Sequence, residues 1–299
     1  MAAARALHGF LVVDKPGGLT SHDAVARVRH AAGRAVKIGH AGTLDPIATG
    51  VLVLALGDAT RLVEWATGQD KRYRAELTLG LETDSYDATG RVVAERPVDV
   101  SPAALERALA GLRGPIEQRP PAFSAVQVGG RRLYDLARRG QPVEAPLRSV
   151  TIHELTLVEF DPPRATIEML CSKGTYVRSL VHDLGRALGC GAHLSALRRL
   201  ASGAFELADA FALDAAVAAI GDGRGLELLR PLELAVADLP VVSPGADGVA
   251  ALRRGQPWAP PGQPSWPIML GRAHGPGGEL VAIVEWRQGA WWPRKVLAG

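Results

Sequence analysis

The alternation of apolar and polar positions predicts the strands of this chain. Val51–Leu56 is an unbroken apolar run, which predicts a strand buried on both faces. Residues 71–80 and 148–160 instead alternate polar with apolar side chains, as a strand with one exposed face does. Shorter apolar runs predict further strands at 10–13, 165–171, 280–286 and 292–296.

Apolar residues spaced three and four apart predict three helices, over residues 21–32, 102–112 and 177–188. Thr20 or Ser21 can cap the first, and Gly33 follows its end. Residues 208–240 are rich in alanine, leucine and acids, and we interpret them as a helical linker region. Strands that alternate irregularly with helices favour an α+β fold.

The composition changes at Leu239. From there the chain is rich in proline and glycine, and five of the six tryptophans follow residue 257. Short predicted strands in this tail suggest a small β-barrel whose core the tryptophans fill. We therefore expect two domains, 1–238 and 239–299.

Composition and charge narrow the class of protein. Of 299 residues 47% are hydrophobic and 22% charged, as in ordinary globular proteins, and no apolar run approaches the length of a membrane span. Cys171 and Cys190 form no CxxC pair, and the eight histidines form no metal-binding motif. We expect a cytoplasmic protein with reduced, buried cysteines and no metal.

The most distinctive stretch precedes the buried strand. Residues 39–46, Gly-His-Ala-Gly-Thr-Leu-Asp-Pro, are too rich in glycine and proline for a regular element. Pro46 disfavours the helical conformation at Asp45, so the backbone sets the direction of this carboxylate. An isolated Asp-Pro pair usually only starts a turn.

The longer string GHAGTLDPIATGVL resembles the signature of the TruB family, the bacterial tRNA pseudouridine-55 synthases. Two later stretches resemble further motifs of that family: residues 71–90, KRYRAELTLGLETDSYDATG, and residues 171–185, CSKGTYVRSLVHDLG. Ala41 departs mildly from the pattern, because many relatives have threonine there.

The resemblance implies a role for each matching residue. Asp45 is the catalytic aspartate, Arg178 pairs with it, and Tyr73 stacks on the target base. Without the motifs, Tyr73 reads as a packing residue and Arg178 as a surface cation. The resemblance also implies five substrate-binding residues. His40 takes the place of the flipped base, Tyr176 lines the uracil pocket, and Leu197 packs under the base. Lys15 supports the loop, and Asp87 holds RNA or loop geometry.

Residues 105–148 carry eight arginines against four acids. A solvated surface explains such a stretch when it stands alone, but beside the family motifs it favours contact with an RNA backbone. Within it, Gly129-Gly130 predicts a hairpin turn, and Leu133, Leu136 and Ala137 a short helix.

The family resemblance implies that uridine in the TΨC loop of tRNA is isomerised to pseudouridine by base flipping, with neither cofactor nor metal. Asp45 can attack C1′, attack C6 or act as a base at C2′, and the sequence does not distinguish among these three mechanisms. The implied fold is α+β, with a mixed, mainly antiparallel sheet, flanking helices and the small C-terminal β-barrel, similar to a PUA module. We expect a monomer that binds the TΨC stem-loop, with no membrane and no obligate protein or guide-RNA partner. The alternatives are a non-catalytic tRNA-binding module and a guided or ribosomal synthase.

Overall fold

The computed structural model describes residues 7–124, 126–134, 145–260 and 269–297. The strands are β1 (Gly9–Lys15), β2 (Ile38–His40), β3 (Thr49–Leu56), β4 (Lys71–Leu79), β5 (Leu81–Thr83), β6 (Val92–Glu95), β7 (Gly114–Gln118), β8 (Gln127–Val128), β9 (Arg131–Arg132), β10 (Arg148–Asp161), β11 (Arg164–Cys171), β12 (Ala192–Ser202), β13 (Phe205–Glu206), β14 (Phe211–Ala212), β15 (Leu229–Arg230), β16 (Val241–Val242), β17 (Leu270–His274), β18 (Leu280–Arg287) and β19 (Ala290–Val296). The α-helices are α1 (Ser21–Ala32), α2 (Val63–Gly68), α3 (Pro102–Ala110), α4 (Val177–Ala187), α5 (Leu213–Gly221) and α6 (Ala246–Arg253).

One large sheet organises the fold. Its strands follow the order β14-β1-β3-β12-β4-β11-β10-β7, while β2, β13 and β15 pair with β3, β12 and β1. Two of these pairings, β1 with β14 and β3 with β12, are parallel, and the others are antiparallel. The predicted α+β class with a mixed, mainly antiparallel sheet is confirmed.

Strand β3 is buried on both faces, as its apolar run predicts. Because side chains alternate along a strand, Leu52, Leu54 and Leu56 enter one hydrophobic core, while Val51 and Val53 enter another on the opposite face. All five side chains are inaccessible to solvent. The loop that precedes β3 is therefore attached to the most deeply buried part of the sheet.

Residues of α1, α3, α4 and α5 contribute to the first core. Helix α1 begins where the sequence predicts, because the Thr20 side chain accepts a hydrogen bond from the Asp23 amide while Asp23 reaches back to Thr20. Helix α3 is capped by the Ser101 side chain, which accepts a hydrogen bond from the Ala104 amide. The three predicted helices are confirmed, each to within two residues at its ends.

The second core is shared with the C-terminal part of the chain. Leu280, Ile283 and Leu297 join the cluster that contains Val51 and Val53. The tail itself forms an open four-stranded sheet in the order β16-β17-β18-β19, and Trp291 is buried in its own small core. No closed barrel is found in the part of the tail that the structure describes, so the predicted β-barrel is not confirmed.

The prediction of a helical linker at 208–240 is wrong in part. Only Leu213–Gly221 is α-helical, whereas Phe211–Ala212 and Leu229–Arg230 both pair with β1 of the main sheet. The composition of this region favours a helix. The two short segments are strands because the backbone of β1 pairs with them, and local helix propensity does not predict such pairing.

The Gly129-Gly130 hairpin is confirmed, since both glycines have positive φ between β8 and β9. A short helix is also predicted from Leu133, Leu136 and Ala137. Leu136 and Ala137 lie outside the described residues. Within the described part of the chain, no helix is long and apolar enough to cross a membrane.

Candidate active site

Backbone contacts fix the loop that carries Asp45, between β2 and β3. The Ser21 hydroxyl accepts a hydrogen bond from the Leu44 amide at 2.8 Å. The Ala48 amide donates to the Asp45 carbonyl at 3.0 Å, and the Gly18 amide donates to the Pro46 carbonyl at 2.8 Å. The Asp45 side chain is 37% exposed, so a firmly held loop presents an accessible carboxylate.

Lys15 supports a neighbouring turn. Its side chain is completely buried, and Nζ donates to the carbonyls of Pro16 and Leu19 at 2.8 and 2.7 Å. Burial lowers the pKa of Lys15, while the Asp45 charge opposes that shift. This position fits the predicted support of the loop.

Arg178 reaches Asp45 from the first turn of α4. Only 5% of its side chain is exposed, and Nη2 lies 2.9 Å from Oδ2 of Asp45. The guanidinium also donates to the carbonyls of Ser85 and Phe123, at 3.3 and 3.0 Å. Arg178 is thus a buried cation with fixed acceptors, and not a surface residue of the helix.

Asp87 provides a second carboxylate for Arg178, with Oδ2 3.4 Å from Nη1. Its other oxygen, Oδ1, accepts hydrogen bonds from Ser85 Oγ at 2.7 Å and from the amide and hydroxyl of Thr89 at 2.9 and 2.6 Å. Asp87 therefore anchors the far side of Arg178 and closes its own turn.

Asp45 and Arg178 border a cavity of about 750 Å³. Tyr73, Tyr176 and Leu197 line the same cavity, so five of the eight predicted site residues meet there. Burial raises the pKa of both tyrosines, which keeps their phenols protonated at neutral pH. The cavity wall combines two aromatic rings, several aliphatic side chains and an ion pair.

His40 is not among the residues that line this cavity. It is half-buried on β2, where its ring packs edge-to-face against His22 with centroids 5.2 Å apart. Burial lowers the pKa of His40, and the neighbouring His22 and Arg199 lower it further. Nδ1 is buried and has no hydrogen-bond partner within the described chain. Lys15 and Asp87 likewise lie beside the cavity and not on its wall.

Two buried cations of the cavity wall were not predicted. Lys71 donates from Nζ to the carbonyls of Thr67 and Gln69, and burial, followed by the charge of Arg199, lowers the pKa of Lys71 to about 8. Arg199 donates to three carbonyls around the Asp45 loop. The sequence signal for Lys71 was its place at the start of the family motif at 71–90, whereas Arg199 stood out only as a basic residue next to Arg198.

The arginines of residues 105–148, which are expected to contact an RNA backbone, have different surroundings. Arg148 lines the cavity, as does Lys173 from outside that stretch. Arg113 instead pairs with Glu106, and Arg119 donates to the Ala145 carbonyl. The side chain of Arg132 and all of Arg138 and Arg139 lie outside the described residues.

Comparison with known families agrees with this geometry. The family model described as TruB family pseudouridylate synthase (N terminal domain) matches residues 29–177, and the model of the tRNA pseudouridylate synthase B C-terminal domain matches residues 178–237. The chain belongs to the TruB family. The predicted resemblance is confirmed.

Individual TruB relatives match over most of their length. A tRNA pseudouridine synthase B of Azoarcus sp. (strain BH72) is 42% identical over 98% of this chain and 96% of that protein. The protein of the same name from Symbiobacterium thermophilum is 50% identical over 84% of this chain and 82% of its own length.

Solved structures share the TruB architecture. A crystal structure of a Cbf5-Nop10-Gar1 complex contains a chain with a TM-score of 0.76 and 29% identity, covering 97% of this chain and 84% of that one. A structure of an H/ACA RNP bound to a substrate RNA containing 2′-deoxyuridine gives a TM-score of 0.75 and 27% identity, covering 98% of this chain and 86% of that chain.

Proposed function

We propose that this protein isomerises uridine 55 in the TΨC loop of tRNA to pseudouridine, with Asp45 as the catalytic carboxylate. The observation that carries the proposal is the Asp45–Arg178 ion pair at a cavity walled by Tyr73, Tyr176 and Leu197. A half-exposed carboxylate beside apolar and aromatic walls suits a reaction on a flat, uncharged base and its sugar.

In the reaction, the bond from ribose C1′ to N1 breaks, the uracil turns, and C1′ forms a bond to C5. The C5 proton then leaves and N1 takes up a proton, so the composition of the nucleotide is unchanged. Arg178, whose own side chain is buried, holds the carboxylate of Asp45 in one direction and supplies the opposite charge. Asp45 then attacks C1′, attacks C6 or removes a proton at C2′. In each case the catalytic atom is a carboxylate oxygen that faces the nucleotide.

The remaining predicted residues receive roles around the base. Extrusion of a base from its stack costs a few kcal/mol, and stacking on Tyr73 returns about 1–3 kcal/mol of this. Tyr176 lines the uracil pocket and Leu197 packs beneath the ring, while His40 fills the space that the base leaves in the RNA. Lys15 and Asp87 keep the Asp45 loop and Arg178 in place.

We favour tRNA as the substrate. The relatives at 42–50% identity are named tRNA pseudouridine synthase B, whereas the chains from H/ACA and Cbf5 complexes are only 27–29% identical. The protein would act as a monomer on the TΨC stem-loop, without a guide RNA. Residues 1–238 would form the catalytic domain, and residues 239–299 a PUA-like RNA-binding module with Arg294 and Lys295 as outer contacts.

Asp45→Asn tests the assignment. The amide keeps the size of the side chain but cannot serve as a nucleophile or base, so pseudouridine formation should stop. Binding of tRNA should stay within about tenfold, because phosphate contacts supply most of the affinity. The measurement is release of tritium from C5 of uridine in a TΨC stem-loop, with binding followed on the same RNA.

The matched control is Asp214→Asn, since Asp214 is exposed and its ion pair within the described chain is with Arg27 at the surface. It should retain the wild-type rate. A normal rate in Asp45→Asn would refute the catalytic role of Asp45, and a wild-type protein without activity on this RNA would refute the proposed substrate.

A further inference from the structure

Arg199 is the largest fully buried side chain in the described residues, with 1% of it exposed. It lies on β12 and directs its guanidinium across β3. Nε donates to the Val51 carbonyl at 2.7 Å, Nη2 to the Gly42 carbonyl at 3.0 Å, and Nη1 to the Thr43 carbonyl at 3.4 Å. Three of its hydrogen bonds therefore go to main-chain carbonyls, and its guanidinium is also hydrogen-bonded to the side chain of Tyr73.

These three carbonyls lie on both sides of Asp45. Gly42 and Thr43 precede it in the loop, and Val51 follows it in β3. A loop without regular hydrogen bonding leaves main-chain carbonyls free to accept from side-chain donors. Arginine can satisfy several at once, because its donors form a rigid planar fork.

Within the described chain, Arg199 forms no ion pair with a carboxylate at 4.0 Å or less. Arg178, in contrast, pairs with both Asp45 and Asp87. Burying an unpaired charge is costly, and an apolar side chain would pack at this position without that cost. The arginine therefore serves a purpose other than packing.

Arg199 also borders the cavity that contains Asp45. It lies opposite Tyr73 in the pairing of β12 with β4, and both residues line the cavity wall. Its charge lowers the pKa of Lys71, Lys15 and His40, which surround the same loop. The guanidinium is thus the common neighbour of the loop and of the cavity wall.

We propose that Arg199 is a positioning residue for the isomerisation: its guanidinium fork ties the Gly42–Thr43 turn to Val51 and thereby sets the direction of the Asp45 carboxylate. The inference rests on the proposed function. Arg178 holds the carboxylate itself, while Arg199 holds the backbone from which it projects.

The test compares Arg199→Lys and Arg199→Gln with wild type in single-turnover reactions at saturating TΨC stem-loop RNA. Lysine keeps the charge and loses the fork, whereas glutamine loses the charge. We expect both to lower the single-turnover rate at least about 30-fold, with the Kd for RNA within about threefold of wild type. Each rate is divided by the fraction of active protein, so that misfolded protein does not lower it. That fraction is obtained by titrating the protein with RNA that binds tightly.

The matched control is Arg198→Lys. Arg198 is the preceding residue of β12, but it is half-buried and pairs with Asp14 at 2.7 Å. It should keep the rate within about twofold. If Arg199→Gln does not fold, Arg199→Lys decides the outcome.

A rate for Arg199→Lys within about threefold of wild type would overturn the inference, as would a loss that appears only in Kd or only in the active fraction. Wild-type activity on the stem-loop is the precondition in every arm. Its absence would count against the proposed function, whereas an active wild type with an equally active Arg199→Lys would refute the positioning role alone.

Discussion

At the scale of single residues, Arg178 joins segments that are distant in the chain. Its guanidinium contacts the carboxylates of Asp45 and Asp87 and the carbonyls of Ser85 and Phe123. A planar fork can serve acceptors on several sides, but the ammonium of lysine is a single point with three donors. Arg178→Lys should therefore be a severe substitution.

We expect Arg178→Lys to lower the single-turnover rate at least about 100-fold, and Arg178→Ala to destabilise the fold by about 3–5 kcal/mol, because it leaves the buried Asp87 without its cation. Urea unfolding and single-turnover kinetics measure the two effects. Arg186→Lys, an exposed position in the last turn of α4, should change neither. Near-normal values for both Arg178 variants would show that the ion pairs carry little free energy.

Lys71 gives the molecule a pH dependence at the same scale. Burial and Arg199 lower the pKa of Lys71 from 10.5 to about 8. Between these two values the unfolded chain binds more protons at Lys71 than the folded chain, so the contribution of Lys71 to stability rises with pH. Below about pH 8, the buried ammonium is a net cost.

Lys71→Met removes this titration. The free energy of unfolding of wild type relative to Lys71→Met should increase from pH 7.5 to 10.5, by about 3 kcal/mol at most. Urea unfolding at several pH values measures it, and the difference between the two proteins cancels titrating groups that do not interact with Lys71. A difference that is constant over this range would contradict the lowered pKa.

At the scale of elements, the contact between β3 and β12 requires glycine. Gly50 has φ +96°, and a Cβ there would lie 2.2 Å from the Arg199 carbonyl oxygen. The parallel pairing of Arg199 with Gly50 brings the two backbones this close. This approach places the Arg199 side chain beside the Asp45 loop.

Gly50→Ala should destabilise the protein by more than about 3 kcal/mol, because the steric clash adds to the backbone strain. The control is Gly33→Ala, at φ +86° and ψ 156° with open space around the position, where strain alone should cost about 1–3 kcal/mol. Urea unfolding of the two variants measures the difference. Equal losses would show that β3 and β12 can move apart without cost.

At the scale of the whole molecule, the C-terminal part completes a core of the sheet. Leu280, Ile283 and Leu297 pack in the cluster that contains Val51 and Val53. Around this contact, Arg294 and Lys295 both approach Glu64 of α2. The tail therefore covers apolar surface behind the strand that follows Asp45.

Leu297→Ala should destabilise the protein by about 2–4 kcal/mol, as loss of a buried leucine does. Glu64→Gln, which removes only the exposed ion pairs, should cost less than about 1 kcal/mol. Thermal unfolding of both variants measures the contrast. A loss below about 0.5 kcal/mol for Leu297→Ala would show that the tail is attached mainly by its charged rim.

The sequence by itself determined the local features of this protein. The apolar run at Val51–Leu56 predicted a strand buried on both faces, and Thr20 with Gly33 predicted the limits of α1. The three motifs identified the family. These features depend on residues that are close together in the sequence, because hydrophobic periodicity and helix capping are local patterns.

The segment at 208–240 marks the limit of such reasoning. Its composition favours a helix, but β1 recruits Phe211–Ala212 and Leu229–Arg230 as strands. The free edge of β1 can form backbone hydrogen bonds with a neighbouring segment even when that segment has a high helix propensity. Where such an edge lies depends on the assembled sheet.

Only the tertiary structure decided which polar side chains act together. Arg199 and Val51 are separated by 148 residues, and the family motifs implied no contact between them. Asp87 likewise meets Arg178 only because the 83–90 turn packs beside α4. Long-range contacts of this kind depend on which faces pack together, and local propensity carries no information about that choice. The core shared by the C-terminal tail and the main sheet is also decided only in the tertiary structure. Burial of apolar surface is not directional, so the sequence does not show which apolar face the tail will cover.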